Sequence, residues 1–178
     1  MRKLSYFLFF ILTIGCSSDD GQPFNILINS GGPSFDYDGS TWEPDRDNNA
    51  TSQYQNIIEI EGTENDQLYQ TEVFATAGFS YQVPVPNNGP WTVVLHFAEI
   101  FHGVVNTNGI GARVFNVDIE NGQGTLTNYD IIEASGAPAT AIVESFSGIE
   151  VLDDTLSITL STIVNAAKIS GVEISGRN

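Results

Sequence analysis

Cysteine, histidine and basic residues are scarce in this 178-residue sequence, which has one cysteine and two histidines, and six lysines and arginines against 22 aspartates and glutamates. Because Cys16 stands alone, an intramolecular disulfide and a cysteine-rich zinc site are excluded, and His96 and His102 are too few for a histidine-based metal centre. A net charge of −16 disfavours nucleic acid, which proteins bind largely through cations. We therefore expect no metal, no other cofactor and no nucleic-acid partner.

Runs with a 3.6-residue hydrophobic period are also missing, and 17 glycines and seven prolines argue against a helix bundle. Instead, apolar and polar residues alternate with a period of two at residues 58–61, 79–85, 115–119 and 156–161. This pattern predicts an all-β fold, a two-sheet antiparallel β-sandwich, with at most a short turn of helix within residues 128–136.

The N-terminus has the composition of an export signal. Arg2 and Lys3 precede an apolar run at residues 4–14 that is too short to span a bilayer, and a small residue, Gly15, comes directly before Cys16. This arrangement resembles a bacterial lipobox, so we expect residues 1–15 to be a lipoprotein signal peptide and Cys16 to be lipidated. An ordinary secretory signal with an incidental cysteine is the alternative.

Residues 16–23 then predict a flexible tether, and Ser18-Asp19-Asp20 within it resembles the surface-export signal of Bacteroidetes-type lipoproteins. The expected location is the bacterial outer membrane, with the domain surface-exposed. Without Arg2 and Lys3, four basic residues face the 22 acidic ones, a net charge of −18. An anionic membrane would repel such a domain, so the lipid must anchor it, and neutral ligands are favoured over polyanions.

Asp45, Asp47 and Asn49 have the alternating spacing of a calcium loop. However, Ala50 and Asn56 stand where an EF-hand needs glycine and glutamate, so that type of site is excluded. A structural calcium of another type remains open.

Acid pairs suited to glycoside hydrolysis are the other chemistry to consider. Asp36 with Asp38, and Asp153 with Asp154, lie in turn-rich segments where alternating or adjacent carboxylates point apart. A Gly-x-Ser-x-Gly nucleophile motif is also lacking. The sequence therefore predicts solvated turns and no enzyme activity.

Six short stretches carry a family resemblance. They are residues 28–32 (INSGG), 41–45 (TWEPD), 68–74 (LYQTEVF), 95–100 (LHFAEI), 111–117 (GARVFNV) and 169–174 (ISGVEI). In this order they resemble the malectin family of carbohydrate-binding domains. The resemblance covers residues 24–178 and implies a galactose-binding-type, jelly-roll sandwich that binds glycans without hydrolysing them. It also implies polysaccharide-processing proteins as partners.

The resemblance further implies sugar-binding positions, which fall on Tyr54, Phe74, Phe101, His102 and Asn165. Tyr54 keeps the family's residue, whereas the family has tyrosine at Phe74, other residues at Phe101 and His102, and aspartate at Asn165. Rings of this kind can stack on the C–H face of a neutral oligo- or polysaccharide, and an amide can bind its hydroxyls.

Several alternatives stay open. Phe74 and Phe101 could be core residues, and His102 could be a solvated loop histidine. The former sugar face could bind a protein in an adhesion or scaffold role, or the domain could be a hydrolase with an unrecognised carboxylate site. We interpret His96 as structural, and Glu99 as a buried carboxylate paired with backbone or with Arg113.

Overall fold

The structure, a computed structural model, describes residues 22–177. The predicted signal peptide and Cys16 lie outside the described residues, and the first strand begins at Pro23, the last residue of the predicted tether. The strands are β1 (Pro23–Asn29), β2 (Phe35–Tyr37), β3 (Ser40–Pro44), β4 (Ser52–Gln55), β5 (Thr71–Ala75), β6 (Phe79–Pro84), β7 (Gly89–Phe97), β8 (Val114–Ile119), β9 (Gly124–Tyr129), β10 (Ile142–Val151), β11 (Thr155–Val164), β12 (Ala167–Ile169) and β13 (Gly171–Arg177). Two short helices are α1 (Asp66–Tyr69) and α2 (Ile131–Ser135).

The predicted antiparallel β-sandwich is confirmed, and a third sheet is added to it. One sheet has six strands in the order β10-β7-β13-β1-β3-β2, and another has four in the order β6-β11-β8-β9. The small third sheet has the order β12-β5-β4. Neighbouring strands run antiparallel except β1 and β3, which pair in parallel.

The sandwich core is apolar and follows the period-two pattern. In β11, Leu156, Ile158 and Leu160 are buried, whereas the alternating serines and threonines are half-buried or exposed. Strand β7 is interior, between β10 and β13, which explains why it is apolar on both faces. Pro84 lies in an edge strand, β6, where its missing N–H costs no ladder bond.

The prediction of a strand at residues 58–61 is wrong. Glu61 there makes a single isolated bridge to Thr140, donating from its N–H to the Ala139 carbonyl (2.9 Å) and accepting from the Ala141 N–H (2.8 Å). Ile60 is buried in a second, smaller apolar cluster that includes Leu68 of α1. The alternation therefore reflects packing against a short helix and a loop. One side of the segment is buried and the other faces solvent, as in a strand at the surface of a sheet.

The other short helix falls where the sequence allows it. Helix α2 lies within residues 128–136, and the Asp130 side chain caps it by accepting from the N–H groups of Ile132 and Glu133. Between residues 22 and 177 no helix has the length and apolar character needed to cross a bilayer.

Three segments surround a cavity at the surface. They are the β4–β5 pair of the small sheet, the connection at residues 98–113 that follows β7, and the turn between β11 and β12. Gly103 in that connection has a φ of +78°, and a Cβ there would lie 2.4 Å from Cγ of Pro138. This position therefore requires glycine, and the requirement fixes the path of the chain just after His102.

Candidate functional site

A cavity of about 170 Å³ lies where these three segments meet. All five predicted site residues line it, together with four others. The lining residues are Tyr54, Glu72, Phe74, Thr76, Phe101, His102, Arg113, Asn165 and Ala166. We call this cavity the cleft. Sugar binding in the cleft stays a prediction. Residues from distant parts of the sequence do converge there.

Aromatic rings form one side of the cleft. The rings of Tyr54 and Phe101 meet edge to face with centroids 5.6 Å apart, and Phe101 meets the His102 ring in the same way at 5.2 Å. Tyr54, Phe74 and Phe101 are half-buried. The alternative that the two phenylalanines are sealed core residues is therefore wrong, and both expose ring surface that a ligand could cover.

His102 is buried, with only 3% of its surface exposed, so the solvated-histidine alternative is also wrong. Its Nε2 lies 3.0 Å from Nδ2 of Asn165, and its Nδ1 lies 3.2 Å from Nδ2 of Asn106. Two residues at which the sequence departs from the family pattern, His102 and Asn165, thus touch each other. Nothing in the sequence indicated this contact, since the residues are 63 positions apart.

Four buried charged residues, Glu72, Glu99, Arg113 and Lys168, form a connected cluster of which Glu72 and Arg113 line the cleft, and we call them the charged floor. Lys168 Nζ lies 2.8 Å from Glu72 Oε2, and Arg113 Nε donates to Glu99 Oε2 at 2.6 Å. Arg113 Nη2 is 3.8 Å from Glu72 Oε1, which links the two pairs. Lys168 also donates to the Ala98 carbonyl and to Ser170 Oγ. Each buried charge thus has an opposite partner.

Glu99 also organises the cleft wall. Its Oε1 accepts hydrogen bonds from the backbone N–H groups of Phe101 (2.9 Å) and His102 (3.0 Å). Burial alone would raise the pKa of Glu99, but the positive charges of Lys168 and Arg113 outweigh it and hold that pKa below its usual value. The predicted pairing of Glu99 with backbone and Arg113 is confirmed, whereas the Glu72–Lys168 pair was not predicted.

His96 belongs to a different environment. Its Nδ1 lies 2.9 Å from the Tyr69 hydroxyl and its ring packs edge to face on Trp42 at 5.4 Å. Burial lowers the pKa of His96 to about 4, so the ring is neutral near pH 7. This arrangement supports a structural role.

The possible calcium ligands have other partners. Asp45 accepts from Asn48 (2.8 Å) and from the Tyr81 hydroxyl (3.3 Å), and Asn49 accepts from the Ser80 N–H (2.8 Å). Asp47 pairs with Arg46. Among residues 22–177, no group of three histidine, cysteine or acidic side chains is placed to hold a metal ion.

The acid pairs considered for hydrolysis lie at the surface. Asp36, Asp38, Asp153 and Asp154 are all exposed as predicted, although Asp36 lies in strand β2 and not in a turn. None of them lines the cleft.

Comparison with known proteins identifies related sequences. The family model for the Malectin domain matches residues 24–176. Mouse malectin is 35% identical over 78 residues, which cover 43% of this chain and 25% of that protein. A probable leucine-rich repeat receptor-like serine/threonine-protein kinase of Arabidopsis thaliana is 28% identical over 112 residues, covering 61% of this chain and 11% of the kinase. The chain thus spans at most about a quarter of the length of these relatives.

Solved structures share the fold. The ANXUR1 extracellular domain of Arabidopsis thaliana superposes with a TM-score of 0.71 at 18% identity, covering 86% of this chain and 48% of that one. A Bacteroides uniformis beta-glucuronidase superposes with a TM-score of 0.67 at 19% identity, covering 87% of this chain and 18% of the enzyme. At these identities the likeness concerns the fold alone.

Proposed function

The chain belongs to the malectin domain family, and from this premise we propose that it is a non-catalytic module that binds a neutral oligo- or polysaccharide in the cleft. Malectin domains bind glycans. The observation that carries the proposal for this chain is the meeting of half-buried rings and polar side chains from three separate segments in one cavity.

The cleft offers the two surfaces that a pyranose requires. The exposed parts of Tyr54, Phe74 and Phe101 can cover the apolar C–H face of a sugar ring. The Tyr54 and Thr76 hydroxyls and the Asn165 amide can bind its hydroxyl groups. A cavity of about 170 Å³ is smaller than the roughly 300–1,000 Å³ typical of drug-sized ligands, so we expect it to hold one sugar ring.

The electrostatics favour an uncharged ligand. The charged floor contains two acids and two bases that neutralise each other, so it supplies no net attraction for an ion. The protein as a whole carries a net charge of −16, which repels uronates and sulfated glycans.

The same floor argues against hydrolysis. A glycosidase needs one carboxyl group that stays protonated as the general acid, which requires a raised pKa. The pKa of Glu99 is instead lowered, and Glu72 is paired with Lys168. Glu72 and Glu99 are thus committed to internal pairs, and we infer a binding role without catalysis.

The proposal extends to the cellular setting. The lipobox-like segment before Cys16 supports a lipid-anchored protein of the bacterial outer membrane, with the domain held at the surface by a short tether. In that setting the module would hold a polysaccharide near proteins that process it.

Calorimetric titration of soluble neutral polysaccharides, after a glycan-array screen, tests the proposal. Tyr54→Ala and Phe101→Ala are expected to weaken binding by about tenfold or more, since each removes a stacking ring. Tyr37→Ala is the matched control, because Tyr37 is an exposed aromatic residue that does not line the cleft. Unchanged affinity in both cleft variants would refute the site, and failure of every neutral glycan to bind would refute the function.

A second candidate function is adhesion to a protein. Exposed aliphatic side chains lie in the connection at residues 98–113 and at the end of β11, close in sequence to His102 and Asn165; they are Val104, Val105, Ile110, Ile163 and Val164. Apolar surface of this kind suits a protein partner. Capture of a single envelope protein that excess free glycan does not displace, and that Val105→Asp abolishes, would favour this function.

A further inference from the structure

The environment of His102 fixes which of its ring nitrogens carries the proton. Asn106 provides the reference, because its Oδ1 already accepts from two backbone donors, the N–H groups of Gly103 (3.3 Å) and Asn108 (3.1 Å). The opposite atom of the same amide, Nδ2, therefore faces His102 Nδ1 at 3.2 Å. Turning this amide over would set its NH2 group against two N–H donors and lose both bonds.

An amide nitrogen can only donate, so His102 Nδ1 must accept and must be unprotonated. The proton of the neutral ring then lies on Nε2, and the atom 3.0 Å from Nε2 is the amide nitrogen Nδ2 of Asn165, which is also a donor. Two donors cannot form a hydrogen bond, so the Asn165 amide must rotate by about 180° and present Oδ1 to the ring.

We propose that His102 is a positioning residue that holds the Asn165 amide with its oxygen on the ring and its NH2 group toward the cleft. Resting on the proposed function, this inference specifies the chemistry of one corner of the site. That corner donates hydrogen bonds and does not accept them. It selects sugars that present an acceptor there, such as a hydroxyl lone pair or the carbonyl oxygen of an N-acetyl group.

A series of hydrogen bonds that starts at the backbone orients these side chains one after another. Two N–H groups orient Asn106, Asn106 sets the His102 tautomer, and His102 orients Asn165, which lines the cavity. Asn106 itself does not line the cavity. A change at Asn106 should therefore reach the ligand indirectly, through the His102 ring and the loop backbone that Asn106 holds, and the tautomer reports the effect on the ring.

The first arm of the test needs no ligand. Long-range ¹H–¹⁵N correlation spectra of the protein uniformly labelled with ¹⁵N, at pH 7.5, report the tautomer of each histidine, and a His96→Gln variant identifies the His102 signals. The expected spectrum shows an unprotonated Nδ1 and a protonated Nε2. A proton on Nδ1, or on both nitrogens, would overturn the inference.

The second arm uses variants, titrated with the methyl glycosides of glucose, galactose, mannose and N-acetylglucosamine. Asn106→Ala should mix the tautomers and lower the affinity about twofold, because about half the molecules then present the correct Asn165 amide. Asn165→Asp should keep the Nε2–H tautomer but lose the donor, lowering affinity about 2- to 13-fold.

Asn108→Ala is the matched control, because only the backbone N–H of Asn108 takes part and the substitution retains it. It should change neither spectrum nor affinity. If Asn106→Ala matched Asn108→Ala in both readouts, the positioning role would be refuted. Failure of all four glycosides to bind would refute the proposed function, while the spectra would still decide the tautomer.

Discussion

The sandwich core and the cleft both contain paired aromatic rings, but the rings are fully buried in the core and only half-buried in the cleft. In the core, Phe97 and Phe115 lie with centroids 5.8 Å apart and both are fully buried. In the cleft, Tyr54 and Phe101 lie 5.6 Å apart and are only half-buried. Similar ring contacts thus support a packed interior in one place and a surface available to a ligand in the other.

The difference lies in what surrounds the rings. Apolar side chains enclose the core rings, and apolar burial has no preferred direction, so it draws side chains together until they are covered. Buried charges lie at the cleft, and Glu99 holds the backbone of Phe101 and His102 by directional hydrogen bonds. Directional bonds can keep a ring at the surface where packing alone would bury it.

Truncating one phenylalanine in each region should give the largest difference in stability between the core and the cleft. Phe115→Ala should lower the free energy of unfolding by about 3–5 kcal/mol, because it opens a cavity in a closed core. Phe101→Ala should cost only about 1 kcal/mol, since the residue is only partly buried and its truncation opens no closed cavity. Urea unfolding of both variants measures the contrast, and equal losses would show that the two regions do not differ in this way.

Removing one charge from the charged floor tests its contribution. Lys168→Met should destabilise the fold by about 3–5 kcal/mol, because the buried Glu72 carboxylate loses its nearest cation and keeps only Arg113, 3.8 Å away and already bonded to Glu99. The double variant Glu72→Gln/Lys168→Met should recover part of this loss.

Arg46→Ala is the control for that experiment, because its ion pairs with Glu43 and Asp47 are both partly exposed and are each expected to contribute at most about 1 kcal/mol. A Lys168→Met variant no less stable than Arg46→Ala would contradict a structural role for the floor.

Lowering the pH should remove the contributions of His96 and Glu99 to the free energy of unfolding in different pH ranges. The pKa of His96 falls from 6.5 to about 4 on folding, so the unfolded chain binds the extra proton and stability is lost as pH drops from about 6.5 to 4, by up to about 3 kcal/mol. The pKa of Glu99 is also lowered, and its contribution is lost only as pH falls below its usual value of 4.5. His96→Gln should therefore flatten the stability profile between pH 6.5 and 4 and leave the loss at lower pH, as unfolding curves at several pH values would show.

The strands were the most predictable part of the fold. In β6, β8 and β11 one face is buried and the other faces solvent, so apolar and polar residues alternate and the strands can be predicted from the sequence. The same alternation at residues 58–61 was misleading, because a segment packed against helix α1 also has one buried side. The small sheet β12-β5-β4 could not be predicted, since β12 has three residues and a strand so short shows no period.

The positions lining the cleft came from the family resemblance, but their interactions came from the structure. Lys168 looks like an ordinary surface lysine in the sequence, and only the fold places it against Glu72 in the interior. The contact between His102 and Asn165 joins two loops with no local signal in either. Residue type therefore indicated what the cleft contains, whereas hydrogen-bond partners decided how each side chain is presented.

A titration followed residue by residue in ¹H–¹⁵N and aromatic ¹H–¹³C spectra tests the central claim most directly. The neutral glycan that ranks highest on the array is added to the labelled protein until the shifts saturate. We predict saturable shifts concentrated at Tyr54, Phe74, Phe101, His102 and Asn165, with Phe97 and Phe115 of the core unchanged. Shifts confined to another surface, or no saturable shifts with any neutral glycan, would contradict the account.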